Sequence, residues 1–598
     1  MSKNNFRPDY QAKLPKTDHN LSQKVVFTSS VGHLLPVYHT ILNPSENIKM
    51  DLEIFTRTQP LVSAAFLDIT ENVDVFFIPF DKMLTSFGNK VYDNSDYLSS
   101  MLAGDESLNF PLFSLVTNTS DGGSPAKFYN GYIDSLKLES DNGDVNARLS
   151  GIRLFNHLHY NPYVFLNDSG HALASTGIKL QPSIFPFALL AYHAIYYDFF
   201  SLQDYEQREV KNYNFDYLTF NPSLSYLSSF CKLHYVPYEF DYFQNSYVSP
   251  LLSSKNLLVS VDNSTFKSAM RLYLGNPSAV HSATFDGSVD DSDADFIQVS
   301  ADQNADYSLA TNQLRANFAM EKYLRVLGKA DKTYDAQVLA HFGYKVPTDV
   351  KHSVQYIGHF ESEIHIGEVV STAQTVNADA TTGASLGEIA GKGYGANKRD
   401  KVVDFTAPCH GVLMAVYYAK PKRIYSTYGF DKINSFTGPE SLWNPEFDAL
   451  GAQPIFRGEL VFNGYLYDSS IQAWQNRFQE FKQKYDWASL AFRDPNGSQP
   501  TPSGFNGFND WTSWINGQVP FKLDRYGSVD PDLNYKGRLV QPTDLNRLFT
   551  VPFVATWNET YRDNLHLIFQ GDPLMHSLNF HVTLWSPMSK TGEPRMDF

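Results

Sequence analysis

Apolar and polar positions alternate with a period of two through much of the first eighty residues, and that period belongs to half-buried strands. The clearest case is Ile69–Phe80, ITENVDVFFIPF. Val73, Val75 and Phe77 share one face, while Asp74, Phe76 and Ile78 make the other face turn apolar partway along. This predicts a central strand buried first on one side and then on both, closed by Pro79, which has no amide proton for a ladder. KVVFTS, HLLPVYHTIL and IKMDLEIFTRT precede it, separated by Gly, Pro, Asn and Ser. Val354–Val370, Cys409–Tyr418 and Ser577–Trp585 repeat the pattern later. Short strands at regular spacing predict a sandwich or barrel rather than βαβ units. The first and last long strands, Ile69–Phe80 and Ser577–Trp585, are expected to meet in it.

Other stretches break the period. Phe185–Phe200 places Leu189, Tyr192, Ile195, Tyr196 and Phe199 on one helical face and reads as a buried helix. Thr311 is placed to cap a helix carrying Leu314, Phe318, Tyr323, Leu324 and Leu327, stopped by Gly328, and a shorter helix, Asp335–Phe342, ends at Gly343. Trp474–Trp487 reads as a short amphipathic turn or helix. Residues 82–183 are long loops rich in Asn, Ser, Asp and Gly, a kind that usually carries contacts. Within 251–310 the run Asp286–Asp306 holds seven aspartates and no Lys or Arg, the pattern of an exposed acidic insertion. No internal repeat is found.

Composition sharpens this picture. Aromatic residues reach 15% and charged residues only 19% of the 598, which favours strands and extensive contact surfaces. A formal charge of −16 excludes a surface that grips nucleic acid everywhere, so any such contact must be local. Residues 1–24 are the local exception: Lys3, Arg7, Lys13, Lys16 and Lys24 against Asp9 and Asp18 give +3, either a flexible basic arm or an ordinary frayed end. With Lys590 and Arg595 in the tail, these are the plausible phosphate contacts. Two cysteines, Cys231 and Cys409, exclude a disulfide scaffold and a multi-cysteine zinc site; both read as packing residues. No apolar run reaches the roughly 18 residues of a membrane span, and a soluble, unsecreted protein is expected.

The search for converging catalytic groups returns little. Nucleophile elbow, P-loop and His-Glu-x-x-His are all missing. Gly391-Lys-Gly393-Tyr-Gly395-Ala396 has dinucleotide-like spacing, but no helix follows, and it reads as a flexible glycine loop. His157-Leu-His159 could set two imidazoles on one strand face, yet lacks a third ligand and reads as an ordinary loop pair. Asp291, Asp293 and Asp295 with Asp302 have calcium-loop spacing, but Phe296 stands where the loop needs glycine, so a solvated acidic loop is expected. No catalytic, cofactor or metal residue is assigned.

Several stretches together resemble the major capsid protein of the Microviridae, small icosahedral single-stranded DNA phages, and most the gokushovirus-type branch. They are HNLSQKVVFTSSVGHLLPVYH, VDVFFIPFDKML, FPFALLAYHAIYYDFF, DYFQNSYVSP, LRANFAMEKYLRVLGKADKTYDAQVLAHFG, HGVLMAVYY and FQEFKQKYDW, in the family's order over nearly the whole chain. The resemblance implies an all-β fold, an eight-stranded antiparallel jelly roll with long loop insertions containing a few helices. It implies a structural, non-enzymatic protein that assembles through pentamers into a T=1 shell around circular single-stranded DNA. Implied partners are further copies of itself, the genome, a scaffolding protein, a DNA pilot protein, a small DNA-binding protein and a host receptor. The implied location is the virion, assembled in the bacterial cytoplasm. By position, 251–310 would be a threefold protrusion, with Asp286, Asp290, Asp291, Asp293 and Asp295 exposed for host contact, and 1–24 would precede a single capsid domain over 25–598. A carbohydrate-binding or carbohydrate-active jelly roll is the competing reading, because architecture alone does not fix function.

Overall fold

The computed structural model describes residues 16–61, 68–83, 113–114, 153–160, 183–201, 233–237, 241–243, 322–323, 326, 334–345, 347, 353–370, 389–422, 424–425, 430–448, 452–460, 469, 471–489 and 572–590. Two compact units emerge, one of residues 1–250 with 345–598 and one of residues 251–344. In the second unit the helix α2, Tyr334–Phe342, is followed by Gly343 at φ +66°, the left-handed stop that the sequence signals. The Thr311–Leu327 helix falls largely outside the described residues, and the acidic insertion 251–310 does so entirely.

The first unit is built on one antiparallel sheet of nine strands. These are β1 Thr17–Asn20, β2 Gln23–Ser29, β3 Leu35–Leu42, β4 Asn47–Thr58, β5 Ile69–Pro79, β6 Gln355–Val370, β7 Ile389–Thr406, β8 Gly411–Pro421 and β11 Leu574–Ser586. A separate hairpin pairs β9 Ala452–Phe456 with β10 Ile471–Asn476. The sheet order is β1–β11–β4–β7–β6–β5–β8–β3, with β2 also on β11, and the sheet curls into a half-barrel. This all-β architecture is consistent with the jelly roll that the resemblance implies, although the described sheet has nine strands where eight were expected. One stretch of the basic arm is not loose: residues 17–20 and 23–24 are paired onto β11.

β5 and β11 do meet, but not as hydrogen-bonded neighbours. β5 lies between β8 and β6, whereas β11 lies on β4. They face each other through side chains, with His576 Nδ1 3.2 Å from Glu71 Oε1 and neither side chain exposed. Local alternation records which face of a strand is buried and leaves its partner open. Around this contact Thr56 and Tyr417 donate to Glu71 Oε1 at 2.6 and 2.8 Å, and His576 Nε2 lies 2.7 Å from the Ser29 hydroxyl. The Thr56 hydroxyl has one proton and gives it to Glu71, so its 2.8 Å contact with His576 Nδ1 requires that nitrogen to donate. Burial, followed by the charge of Glu71, raises the Tyr417 phenol well above its ordinary range.

The second face of β5 is buried because a helix lies on it. Every residue of α1, Phe187–Ile195, is buried, and a π-helical turn, Tyr196–Phe200, continues it. Phe76 packs 4.8 Å from Phe199 and 6.2 Å from Phe200 between ring centres. Tyr192 donates to the Leu34 carbonyl at 2.9 Å and accepts from the His234 amide at 2.8 Å. Asp74, the polar position on that face, is satisfied by His359 at 2.6 Å and Tyr418 at 2.8 Å. That hydrogen bond, outweighing partial burial, raises the His359 imidazole above its usual value.

Just ahead of β11, Arg153 holds Asp572 through two hydrogen bonds of 2.7 Å, and Thr28 adds a third at 2.6 Å. Burial would push the Asp572 carboxyl up, but Arg153 and Thr28 outweigh it and hold it below the ordinary range. Arg153→Ala is expected to lower stability by about 3–5 kcal/mol, because a buried carboxylate loses its counter-charge. Chemical denaturation reads this directly, and a loss under about 1 kcal/mol, the scale of a surface pair, would contradict it.

Candidate interaction surfaces

Of the residues singled out for phosphate contact, Lys16 is exposed and its amine donates to the Ser45 carbonyl. Lys3, Arg7 and Lys13, the aspartates 286, 290, 291, 293 and 295, Cys231 and Arg595 lie outside the described residues. Lys590 pairs with Asp18 at 2.7 Å on the surface and lowers that carboxyl. Exposed pairs of this kind add little stability. Cys409 is partly buried against the core, and its thiol is pushed up to about 11, first by burial and then by Asp81.

His157 and His159 sit not on a strand but at the end of a short helix, residues 153–157. The His157 ring stands edge-on to Phe27 at 5.2 Å, while His159, in the left-handed region at φ 59°, packs its ring 5.9 Å from His39. The two rings therefore serve different partners. Among the described residues no group of three or more His, Cys, Asp or Glu is placed to hold a metal ion.

Gly391–Ala396, expected to be a loop, is part of β7. The glycines are needed because the inner face is crowded. A Cβ on Gly393 would stand 2.7 Å from Thr58 Cγ2, and one on Gly395 3.0 Å from the Glu363 carbonyl oxygen. The Gly393 amide donates to Thr58 Oγ1 at 2.6 Å. The period-two signal is missing here because glycines replace apolar residues on the buried side.

A further feature carries no motif at all. Tyr242, Phe243, Tyr425, Ile455 and Ala473 form a second small core around the β9–β10 hairpin. Tyr242 donates to Glu459 at 3.1 Å and accepts from Gln475 at 2.8 Å. Burial raises the Glu459 carboxyl and lowers the Lys432 amine, whose nitrogen lies 4.0 Å from it. Large apolar side chains of this stretch stay uncovered: Phe430, Leu442, Trp443, Ile471, Phe481 and Trp487 are exposed by 46, 56, 52, 51, 48 and 62%. Arg477 stacks over Phe447 and Phe478 at 5.0 and 5.2 Å. So many large apolar side chains in one stretch are the composition of a protein–protein contact. The aromatic density of 430–487 was the available signal.

Residues 239–499 match the family model described as Capsid protein (F protein). The matched span contains β6 to β10 and the exposed aromatic stretch. No curated protein matches the chain. The match supports a Microviridae major capsid protein, the resemblance read from the sequence, and capsid proteins of that family are structural. Among the described residues no helix is long and apolar enough to cross a membrane.

The histidines near Arg153 set an acid limit on this unit. His33 and His157 are both pushed down to about 3, by burial first and Arg153 second. Both stay neutral in the folded protein while their unfolded counterparts protonate near pH 6.5. Between those values the unfolded chain binds more protons, so stability falls as pH drops from about 6.5 towards 3. His157→Gln should flatten this loss by up to about 1.4 kcal/mol per pH unit. Urea midpoints at pH 4.5 and 7.5 measure it, and an unchanged difference between them would count against the assignment.

Proposed function

We propose that this chain is the shell subunit of a small icosahedral phage and encloses a single-stranded DNA genome. The capsid-family match over 239–499 carries the reading, and it falls on the stretch that leaves six large apolar side chains uncovered. A rigid curled sheet supplies the wall, and the aromatic stretch supplies surface for neighbouring copies. Scaffolding, DNA pilot and small DNA-binding proteins of the same phage would complete assembly. Electron microscopy of the purified protein, expressed with a scaffolding partner, is expected to show closed particles or pentameric precursors. A protein that stays monomeric at all concentrations would end the proposal.

Two segments have assigned parts in this reading. The basic residues Lys3, Arg7 and Lys13 contact the genome, and 251–310, which belongs to a separate compact unit, contacts the host. Removing residues 1–15, which leaves the Lys16 contact intact, should lower DNA per particle with the sheet still folded. Exchanging 251–310 for a short linker should spare particles and abolish adsorption. Undiminished DNA content, or normal adsorption, would refute the corresponding role.

A further inference from the structure

Where β5 ends, the fold sets a buried amine against a buried carboxylate. Pro79 closes the strand, and a single helical turn, Phe80–Met83, follows it directly. The Phe80 amide donates to the His410 carbonyl at 3.1 Å, and the Phe80 ring lies 4.7 Å from Phe187 at the start of α1. That turn carries Lys82. Asp198 comes from the π-helical turn Tyr196–Phe200 that continues α1. Within it the acid is buried while Phe199 beside it is 46% exposed, the reverse of what apolar packing favours. Turns of this kind are rare and frequently mark functional sites. Lys82 Nζ meets Asp198 Oδ2 directly, with the two side chains 8 and 2% exposed. The acid is held from several sides. The Ser201 amide closes the π-helical turn on the Tyr196 carbonyl at 2.8 Å, Tyr196 stacks on His234 at 3.6 Å, and Phe199 packs on Phe76 at 4.8 Å. Of the nearby acids, Asp74 is held by His359 and Tyr418, and Asp81 bears on the Cys409 thiol.

We propose that Lys82 and Asp198 condense to an intramolecular isopeptide bond. Moving one proton from the ammonium to the carboxylate leaves a free amine facing a carboxylic acid, and an apolar site disfavours the charged alternative. The Nζ lone pair attacks the Asp198 carboxyl carbon, the bond from that carbon to its hydroxyl oxygen breaks, and the hydroxyl leaves as water with a proton from the amine. One C–N and one O–H bond form, one C–O and one N–H bond break, and nothing is oxidised or reduced. Groups fixed in contact react with effective molarities of roughly 10⁵–10⁸ M, and a site with little water favours losing water over hydrolysis. The partners stand 116 positions apart, so the bond closes residues 82–198 into a covalent ring and fastens α1 to the end of β5. A closure of this length stabilises chiefly by restricting the unfolded chain. The proposal goes beyond the shell reading and does not depend on it.

Intact-mass spectrometry of the purified, denatured full-length protein tests the bond. The wild-type chain should be lighter than its sequence by one water, and tryptic digestion should yield a branched peptide joining residues 58–90 to residues 180–208. Lys82→Arg and Asp198→Ala should each restore the sequence mass and release the two peptides unjoined. A wild-type chain at full sequence mass overturns the proposal and leaves a buried ion pair. A missing water that persists in both variants, or that maps to other residues, overturns it equally. The wild-type reading stands however well either variant folds. It is also the same whether or not the protein forms particles, so the bond and the shell reading can fail separately.

Discussion

The curled sheet is tied together by a buried polar contact across its interior. Glu71 on β5 and Tyr417 on β8 come from one arc, and Ser29, Thr56 and His576 on β2, β4 and β11 from the other. A carboxylate and an imidazole without solvent carry a desolvation cost that only precise geometry offsets. Slipping either arc by one residue would turn Glu71 or His576 to the opposite face and leave its partner unsatisfied. Apolar alternation alone tolerates a slip of two residues, since that keeps the same face buried. The polar contact does not, and so it selects one register for strands more than 500 residues apart.

The two outer faces of the curled sheet are unequal. On the β5–β8 side, α1 and the following π-helical turn cover the sheet, which is why β5 is buried along almost its whole length. Asp74 survives there because His359 and Tyr418 complete its hydrogen bonds. The β4–β7 side carries exposed Phe55 and Tyr394 together with Arg57. Among the described residues the two outer faces thus differ in cover and in exposed chemistry.

Strands were legible wherever burial alternates. The sequence places β2 to β6, β8 and β11 close to where they lie, and it finds α1 as a buried helix. The first half of β7 was invisible, because its inner face is lined by glycines and its outer face by Lys392, Tyr394, Ala396 and Lys398, leaving no apolar period to read. The pairing of β5 was missed for a different reason: strand neighbours more than 330 residues away on β8 leave no trace in local pattern. His157 and His159 looked like a pair only because they are two residues apart. One turn of helix and a left-handed residue send their rings to Phe27 and His39.

The aromatic content has a physical explanation in this arrangement. A monomeric enzyme of this size would bury its Phe, Tyr and Trp in a few large cores. Here the main core lies between the arcs of one curled sheet and α1, and the second core around Tyr242 and Tyr425 is small. Many of the exposed aromatics stand at 430–487, where local contacts hold the backbone. Among these are the Asp431 cap on the Ile433 amide and the Lys482–Asp448 pair at 3.0 Å. Ordering an exposed apolar surface in advance lowers the entropy cost of covering it. A subunit that must meet its neighbours repeatedly and in one geometry gains from that rigidity, and a protein that works alone would only gain a tendency to aggregate.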